Sequence, residues 1–130
     1  PTRRSSDLFA GSGSLGITAI SNGATAVDFL EKNPEAIKTI SSNIKKHKCN
    51  DVARIIRRLE DDANYDLIFA DPPYDNPQYD YVQEISGHLT SGGILVLSHP
   101  KKPLPPDFAE LEIISDRSYA AACIKIYQKN

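Results

Sequence analysis

Two short motifs, each directly behind strand-forming residues, constrain the fold of this chain more than any other feature. The first is the glycine-rich stretch Asp7–Gly16, and the second is Asp71–Tyr74, which follows the apolar run Leu67–Ala70. A glycine loop between a strand and a helix is typical of sheets in which parallel strands alternate with helices. Because the carboxyl ends of parallel strands meet at one edge of the sheet, we expect the two motifs to lie there together.

The remaining pattern predicts one doubly wound, Rossmann-like α/β domain spanning residues 1–130. Apolar runs and helical periodicity predict strands at 5–9, 26–30, 52–56, 65–70 and 94–97, and helices at 15–21, 34–46 and 78–89. We expect Gly92-Gly93 to form the turn into the last of these strands. After the proline-rich stretch 100–106, residues 111–115 and 122–128 alternate like strands and predict an antiparallel hairpin at the sheet edge.

Composition indicates a folded domain that needs neither a membrane nor a metal. The 130 residues are 40% hydrophobic and 25% charged, and no apolar run approaches the roughly 20 residues that span a bilayer. Cys49 and Cys123 lack the spacing of metal ligands, so two free thiols in a reducing cytoplasm are expected.

The formal net charge of -2 argues against a uniformly basic nucleic-acid binder, but it hides a basic stretch. Between Lys32 and Arg58 lie eight basic residues and only two acidic ones: Lys32, Lys38, Lys45, Lys46, Lys48, Arg54, Arg57 and Arg58 against Glu35 and Asp51. This stretch either lies along a phosphate backbone or forms a solvated helix face, and the residues alone favour neither.

The glycine loop has the spacing of a nucleotide-cofactor site. Gly11, Gly13 and Gly16 satisfy the pattern G-x-G-x-x-G, which lets the backbone turn tightly and approach a cofactor. Glu31 follows the next strand, where a carboxylate can accept hydrogen bonds from ribose hydroxyls. Asp7 lies just before the loop, where it can hold an ammonium group but would repel a pyrophosphate. This combination favours S-adenosylmethionine over NAD.

The second motif offers acceptors for the amine of a nucleobase. An exocyclic amine is a poor nucleophile because its lone pair is delocalised into the ring. The Asp71 carboxylate and the Pro72 carbonyl can accept its hydrogens and so restore the lone pair. Tyr74 can stack on a base that has left its helix. The competing interpretation is a plain turn, because Asp-Pro-Pro is good turn chemistry.

Three segments together resemble a known family. Asp7–Gly16, Val27–Pro34 and Asp66–Tyr74 are similar to the bacterial 16S rRNA guanine-N2 methyltransferases of the RsmD type, and Gly92–Leu97 and Tyr119–Tyr127 fit the same pattern. The resemblance implies a seven-stranded methyltransferase sheet, S-adenosylmethionine as donor, and a guanine in small-subunit rRNA as target. We expect the chain to be a monomer.

By matching position, the resemblance also implies the site. The cofactor residues would be Asp7, Phe9, Gly11, Gly13, Gly16, Glu31 and Asp71, and the catalytic residues Asp71, Pro72 and Tyr74.

The chain departs from the family at several places. The family has a segment ahead of the glycine loop, so we expect this chain to be an N-terminally truncated form. Residues 57–64 are shorter than the family's usual stretch, which supplies an acidic residue near adenine; Asp61 or Asp62 would take that role. Ser98-His99 stands where the family often has Glu-His. We expect His99 to be a loop residue, with contact to RNA or to the target site as the alternative.

Other functions remain open at this stage. An adenine-N6 nucleic-acid methyltransferase could use the same Asp71–Tyr74 motif, although such enzymes usually carry a separate target-recognition region. A catalytically impaired remnant of a methyltransferase fold is a further alternative. If the chain were an NAD-dependent dehydrogenase, Asp7 and the Asp71–Tyr74 motif would have no explanation.

Overall fold

A single mixed sheet organises the molecule, in a computed structural model that describes residues 4–8, 13–120 and 122–130. Along that part of the chain the elements are β1 Arg4–Leu8, α1 Ser14–Ser21, β2 Ala26–Leu30, α2 Pro34–Lys46, β3 Ala53–Ile56, β4 Tyr65–Ala70, α3 Tyr79–Ser86, β5 Leu89–His99, β6 Leu111–Ser118 and β7 Cys123–Lys129. The predicted α/β class is confirmed.

The strand order β3-β2-β1-β4-β5-β7-β6 places a change of winding direction between β1 and β4. The strands β1 to β5 pair in parallel, whereas β7 pairs antiparallel with both β5 and β6. In open α/β sheets, ligands bind outside the carboxyl ends of the strands at such a reversal. The topology therefore marks the β1/β4 edge as the place for a site.

Local signals explain the elements whose bounds were predicted correctly. Asn33 caps α2, its Oδ1 accepting hydrogen bonds from the amides of Glu35 and Ala36 at 2.9 and 3.2 Å. Pro34 occupies the first turn, where no amide is needed. The compact apolar run of β4 has buried neighbours on both faces, as a central parallel strand requires.

Two predictions around β5 are wrong. Leu89 does not continue the third helix: α3 ends at Ser86, and Leu89 is a buried strand residue paired with Tyr65. Gly92-Gly93 is not a turn before the strand but lies inside β5, where the register with β4 shifts and Gly92 takes a φ of +79°. A glycine conformation that sequence patterns associate with turns here serves a bulge.

Apolar side chains pack on both faces of the sheet. On one face, Val27 and Phe29 of β2 meet Ile40 and Ile44 of α2, with Ile17 of α1 beside them. On the other face, a larger cluster joins strands β4, β5 and β7 to helix α3. Its central members are Ile68, Leu95, Leu97, Val82, Ile85 and Tyr127.

The connection from β3 to β4 has no helix. The chain leaves β3 at Ile56 and must pass β2 and β1 before it enters β4 at Tyr65. Residues 57–64 reach at most about 28 Å when extended, so they lie across the sheet as a single strap. Leu59 and Ala63 of this strap pack against the larger core cluster.

Gly16 permits α1 to lie close to β2. A Cβ added at Gly16 would stand 2.7 Å from Cζ of Phe29 and 3.1 Å from Cγ1 of Val27. We expect Gly16→Ala to lower the free energy of unfolding by about 1–3 kcal/mol, measured by urea denaturation. In a Phe29→Leu background the same change should cost less, because the clashing ring is gone. Equal costs in the two backgrounds would show that this contact is not the constraint.

The phenol of Tyr127 should make the free energy of unfolding fall at alkaline pH. Burial raises the pKa of its phenol, and the nearby Asp116 adds to the effect. A folded pKa above the unfolded value of about 10 means that the unfolded chain loses its proton first, so stability falls as pH rises past 10. Between pH 10 and 12 the native chain should lose up to about 1.4 kcal/mol per pH unit more than Tyr127→Phe.

The matched control is Tyr119→Phe, because Tyr119 is 55% exposed. Denaturation series at fixed pH values should show the native slope for this control. If Tyr127→Phe shows the same alkaline slope as the native chain, the phenol of Tyr127 is not the titrating group.

Candidate functional site

The two motif-bearing strands end side by side, as the sequence predicts. Leu8 of β1 and Ala70 of β4 are register partners in a parallel pair. Asp7 lies one residue earlier, paired with Phe29 on one side and Phe69 on the other. The loop after β1 and the segment after β4 therefore leave the sheet at the same edge.

The glycine loop is described from Gly13 onward; Phe9 and Gly11 lie outside the described residues. Gly13 is buried with φ +80°, a conformation that favours glycine, and a Cβ there would stand 3.2 Å from Cε1 of Phe29. Its carbonyl accepts the amide hydrogen of Ile17 at 3.0 Å, which begins the α1 ladder. Both the positive φ and the nearby Phe29 ring therefore disfavour any residue other than glycine at position 13.

Glu31 lies at the carboxyl end of β2, one strand from the loop. Its Oε2 accepts hydrogen bonds from the amides of Lys32 at 3.1 Å and Asn33 at 3.2 Å. The amide of Glu31 itself donates to the carbonyl of Ile56 at 3.0 Å, which continues the pairing with β3. These bonds orient the carboxylate at the same edge as the glycine loop.

The segment after β4 combines a buried proline with exposed polar groups. Pro72 is fully buried, Asp71 is exposed, and Tyr74 is 37% exposed. The hydroxyls of Tyr74 and Ser98 hydrogen-bond at 2.7 Å, which ties the segment to the end of β5. A rigid anchor at Pro72 therefore presents a carboxylate and an aromatic ring to solvent. We call residues 71–79 the slot segment.

A second tie joins the slot segment to the loop after β5. The hydroxyl of Tyr79, the first residue of α3, donates to the carbonyl of Pro103 at 2.5 Å. The ring of Tyr79 also meets Phe108 edge-on, with centroids 6.5 Å apart. Burial raises the pKa of Tyr79, and Cys123 adds to it, so the phenol stays protonated as a donor.

Neither Ser98 nor Pro103 was predicted as a partner of the slot segment. In the sequence, Ser98 stands out only as a departure from the family pattern, and the stretch around Pro103 only as proline-rich. Both contacts join residues 24 apart in sequence. No local pattern signals such a pairing, because it depends on β5 lying beside β4.

His99 ends β5 as a buried residue, so the expectation that it is a loop residue is wrong. Its Nδ1 donates to the carbonyl of Pro100 at 2.8 Å. Within the described residues this buried Nε2 has no hydrogen-bond partner. In the antiparallel register of β5 with β7, His99 is the backbone partner of Cys123.

A pocket of about 400 Å³ lies at the other end of the sheet, against the first residues of β2 and β3. At its floor, Arg54 donates to both oxygens of Asp28 at 3.0 and 2.9 Å, and the Tyr65 hydroxyl donates to the same carboxylate. The Asp28 carboxylate raises the pKa of Arg54. Asp62 lines this pocket, so the structure does not bring it to the edge that holds Glu31.

Two negative findings apply to the described part of the chain. No helix there is long and apolar enough to cross a membrane. The same residues contain no group of three or more His, Cys, Asp or Glu side chains arranged to hold a metal ion.

Solved structures define the class to which this fold belongs. A conserved hypothetical protein of Streptococcus pyogenes superposes with a TM-score of 0.88 at 28% identity, covering 99% of this chain and 87% of that one. A candidate methylase of Haemophilus influenzae superposes with a TM-score of 0.86 at 22% identity, covering 98% and 87%. The chain has the same α/β fold as these two proteins.

Sequence comparison then identifies the family. The model described as "Conserved hypothetical protein 95" matches residues 2–128, and the chain belongs to this family, the RsmD family. YlbH of Bacillus subtilis, named as a candidate rRNA methyltransferase, is 29% identical over 139 residues, covering 97% of this chain and 76% of that protein. Ribosomal RNA small subunit methyltransferase D of Haemophilus influenzae is 34% identical over 77 residues, covering 52% and 40%. The resemblance read from the motifs is confirmed.

Proposed function

We propose that this chain transfers a methyl group from S-adenosylmethionine to the exocyclic N2 amine of a guanine in small-subunit rRNA, in the cytoplasm. The observation that carries the proposal is the parallel register of Leu8 with Ala70, which ends β1 and β4, the strands ahead of the two motifs, at the same edge of the sheet. Membership of the family and the names of its relatives support an rRNA substrate.

The residues at the cofactor edge fit such a donor. Gly13 has a left-handed backbone and no room for a side chain, so bare backbone at this position would face a flat ligand. The oriented carboxylate of Glu31 suits a pair of ribose hydroxyls. Asp7, Phe9 and Gly11 complete the proposed set, with Gly16 packing the helix behind it. When bound, S-adenosylmethionine would supply an electrophilic methyl group.

The slot segment would prepare the nucleophile. The exposed Asp71 carboxylate accepts a hydrogen bond from the guanine amine, and the Pro72 carbonyl accepts the second, so the nitrogen lone pair is directed out of the ring plane. Tyr74 stacks on the extruded base, held in place by Ser98. Positioning of this kind contributes most of the rate when little covalent chemistry falls to the protein.

Asp71→Ala tests the proposed catalytic role. We expect methyl transfer to fall at least about a hundredfold, because the amine loses its charged acceptor. Affinity for S-adenosylhomocysteine should stay within about tenfold, or 1.4 kcal/mol. Transfer is measured with tritium-labelled S-adenosylmethionine on 16S rRNA and on small subunits, and affinity by calorimetric titration.

Asp75→Ala is the matched control, since Asp75 is an exposed aspartate of the same segment. It should keep native transfer. Native-like transfer by Asp71→Ala would refute the role of Asp71.

If the native chain binds S-adenosylhomocysteine but methylates neither substrate, the chain is the impaired methyltransferase fold rather than an enzyme. Mass spectrometry of digested RNA separates N2-methylguanosine from N6-methyladenosine.

Glu31→Ala tests the cofactor edge. Hydrogen bonds to a charged group contribute about 1.5–3 kcal/mol each, so affinity for S-adenosylhomocysteine should fall tenfold or more. Glu35→Ala, an exposed glutamate in the first turn of α2, should leave affinity unchanged. Equal affinities for the two variants would place the ribose elsewhere.

A further inference from the structure

The fold places two groups of basic side chains at opposite ends of the sheet, a separation that the sequence does not show. Lys45 and Lys46 end α2, and Lys48 follows them in the turn toward β3. All three lie near the amino ends of the strands, opposite the edge that carries the slot segment. Other basic residues follow the carboxyl ends of strands: Lys32 after β2, Arg57 and Arg58 after β3, and Lys101 and Lys102 after β5. The continuous basic stretch is therefore divided by the fold.

The basic residues at the carboxyl edge are exposed and make no ion pair with the described residues. By contrast, Arg54 is engaged by Asp28 and Glu60, and Lys125 approaches Asp116 at 4.0 Å. An exposed cation without an acidic partner is available to an anionic ligand.

Lys101 and Lys102 are held beside the slot segment. The stretch 98–103 is fastened to it at both ends, by the Ser98–Tyr74 hydrogen bond and by the Tyr79–Pro103 hydrogen bond. Lys101 follows Ser98 by three residues, so their Cα atoms are at most about 11 Å apart. We call Lys101 and Lys102 the near arm.

Arg57 and Arg58 lie on the other side of the slot. They follow Ile56, whose carbonyl is bonded to the amide of Glu31, and Lys32 is next to Glu31 in the chain. Four strand steps separate β3 from β5, or about 19 Å at 4.8 Å per step. We call Lys32, Arg57 and Arg58 the far arm.

We propose that the two arms bind backbone phosphates of one RNA strand on either side of the slot, so that the strand crosses the carboxyl edge of the sheet. A base that leaves its stack needs its flanking backbone held in place, and phosphate contacts supply register and orientation. The slot segment itself carries Asp71 and Asp75, which repel phosphate, so the phosphates would contact the two arms instead. This inference rests on the proposed function, because it assigns the path of the RNA strand over the proposed methyl-transfer site.

The test measures binding rather than catalysis. A fluorescein-labelled, single-stranded RNA of mixed sequence is titrated with protein at several salt concentrations, and anisotropy gives the affinity. For a single strand, the logarithm of affinity falls with the logarithm of salt by about 0.7 per phosphate contact. Lys101→Ala/Lys102→Ala should therefore flatten the slope by about 1.4, and Arg57→Ala/Arg58→Ala by a similar amount.

Lys45→Ala/Lys46→Ala is the matched control, since it removes the same charge from two adjacent exposed lysines at the far end of α2. It should keep the native slope. A control that flattens the slope as much as the arm variants would overturn the proposal, because binding would then follow total charge. The absence of RNA binding by the native chain would also overturn it.

Two further measurements separate this proposal from the proposed function. The arm variants should keep native affinity for S-adenosylhomocysteine, since neither arm contributes an acceptor to the cofactor. Native RNA binding with the expected slopes, but no methyl transfer, would reject the enzyme and retain the RNA surface. Native transfer with unchanged slopes in the arm variants would reject the surface alone.

Discussion

The parallel pairing of β1 with β4 is the constraint on which the rest of the site depends. It joins segments about sixty residues apart through backbone hydrogen bonds and reverses the winding of the sheet between them. The glycine loop and the slot segment acquire a shared edge only through this pairing. Gly16 contributes beside it, because its missing Cβ lets α1 pack closely on Phe29 of β2.

Charge is distributed over the fold in a way that the net value of -2 conceals. At one end of the sheet, Arg54 contacts the carboxylates of Asp28 and Glu60, and Asp28 also accepts a hydrogen bond from the Tyr65 hydroxyl. At the other end, cations without acidic partners among the described residues flank the slot. A local positive field on each side of an acidic centre suits a ligand whose backbone is anionic and whose reacting group is a neutral amine.

Rigidity at the slot comes from contacts between loops rather than from the motif itself. Pro72 is buried, Tyr74 is held by Ser98, and Tyr79 holds the loop at Pro103. The two side-chain hydrogen bonds join the segment after β4 to the end of β5 and to the loop that follows it. A ring that stacks on a base gains affinity when its orientation is set beforehand.

The amino-acid sequence alone determined the α/β class, the family, and elements with strong local signals, such as β4 and the Asn33-capped α2. Periodicity, caps and apolar runs act within a few residues, and a sequence displays them directly. Only the tertiary structure decided that Leu89 belongs to a strand, that Ser98 anchors Tyr74, and which basic residues reach the carboxyl edge. Each of these depends on which strands are neighbours, and neighbours are set by pairing energies summed over the whole sheet.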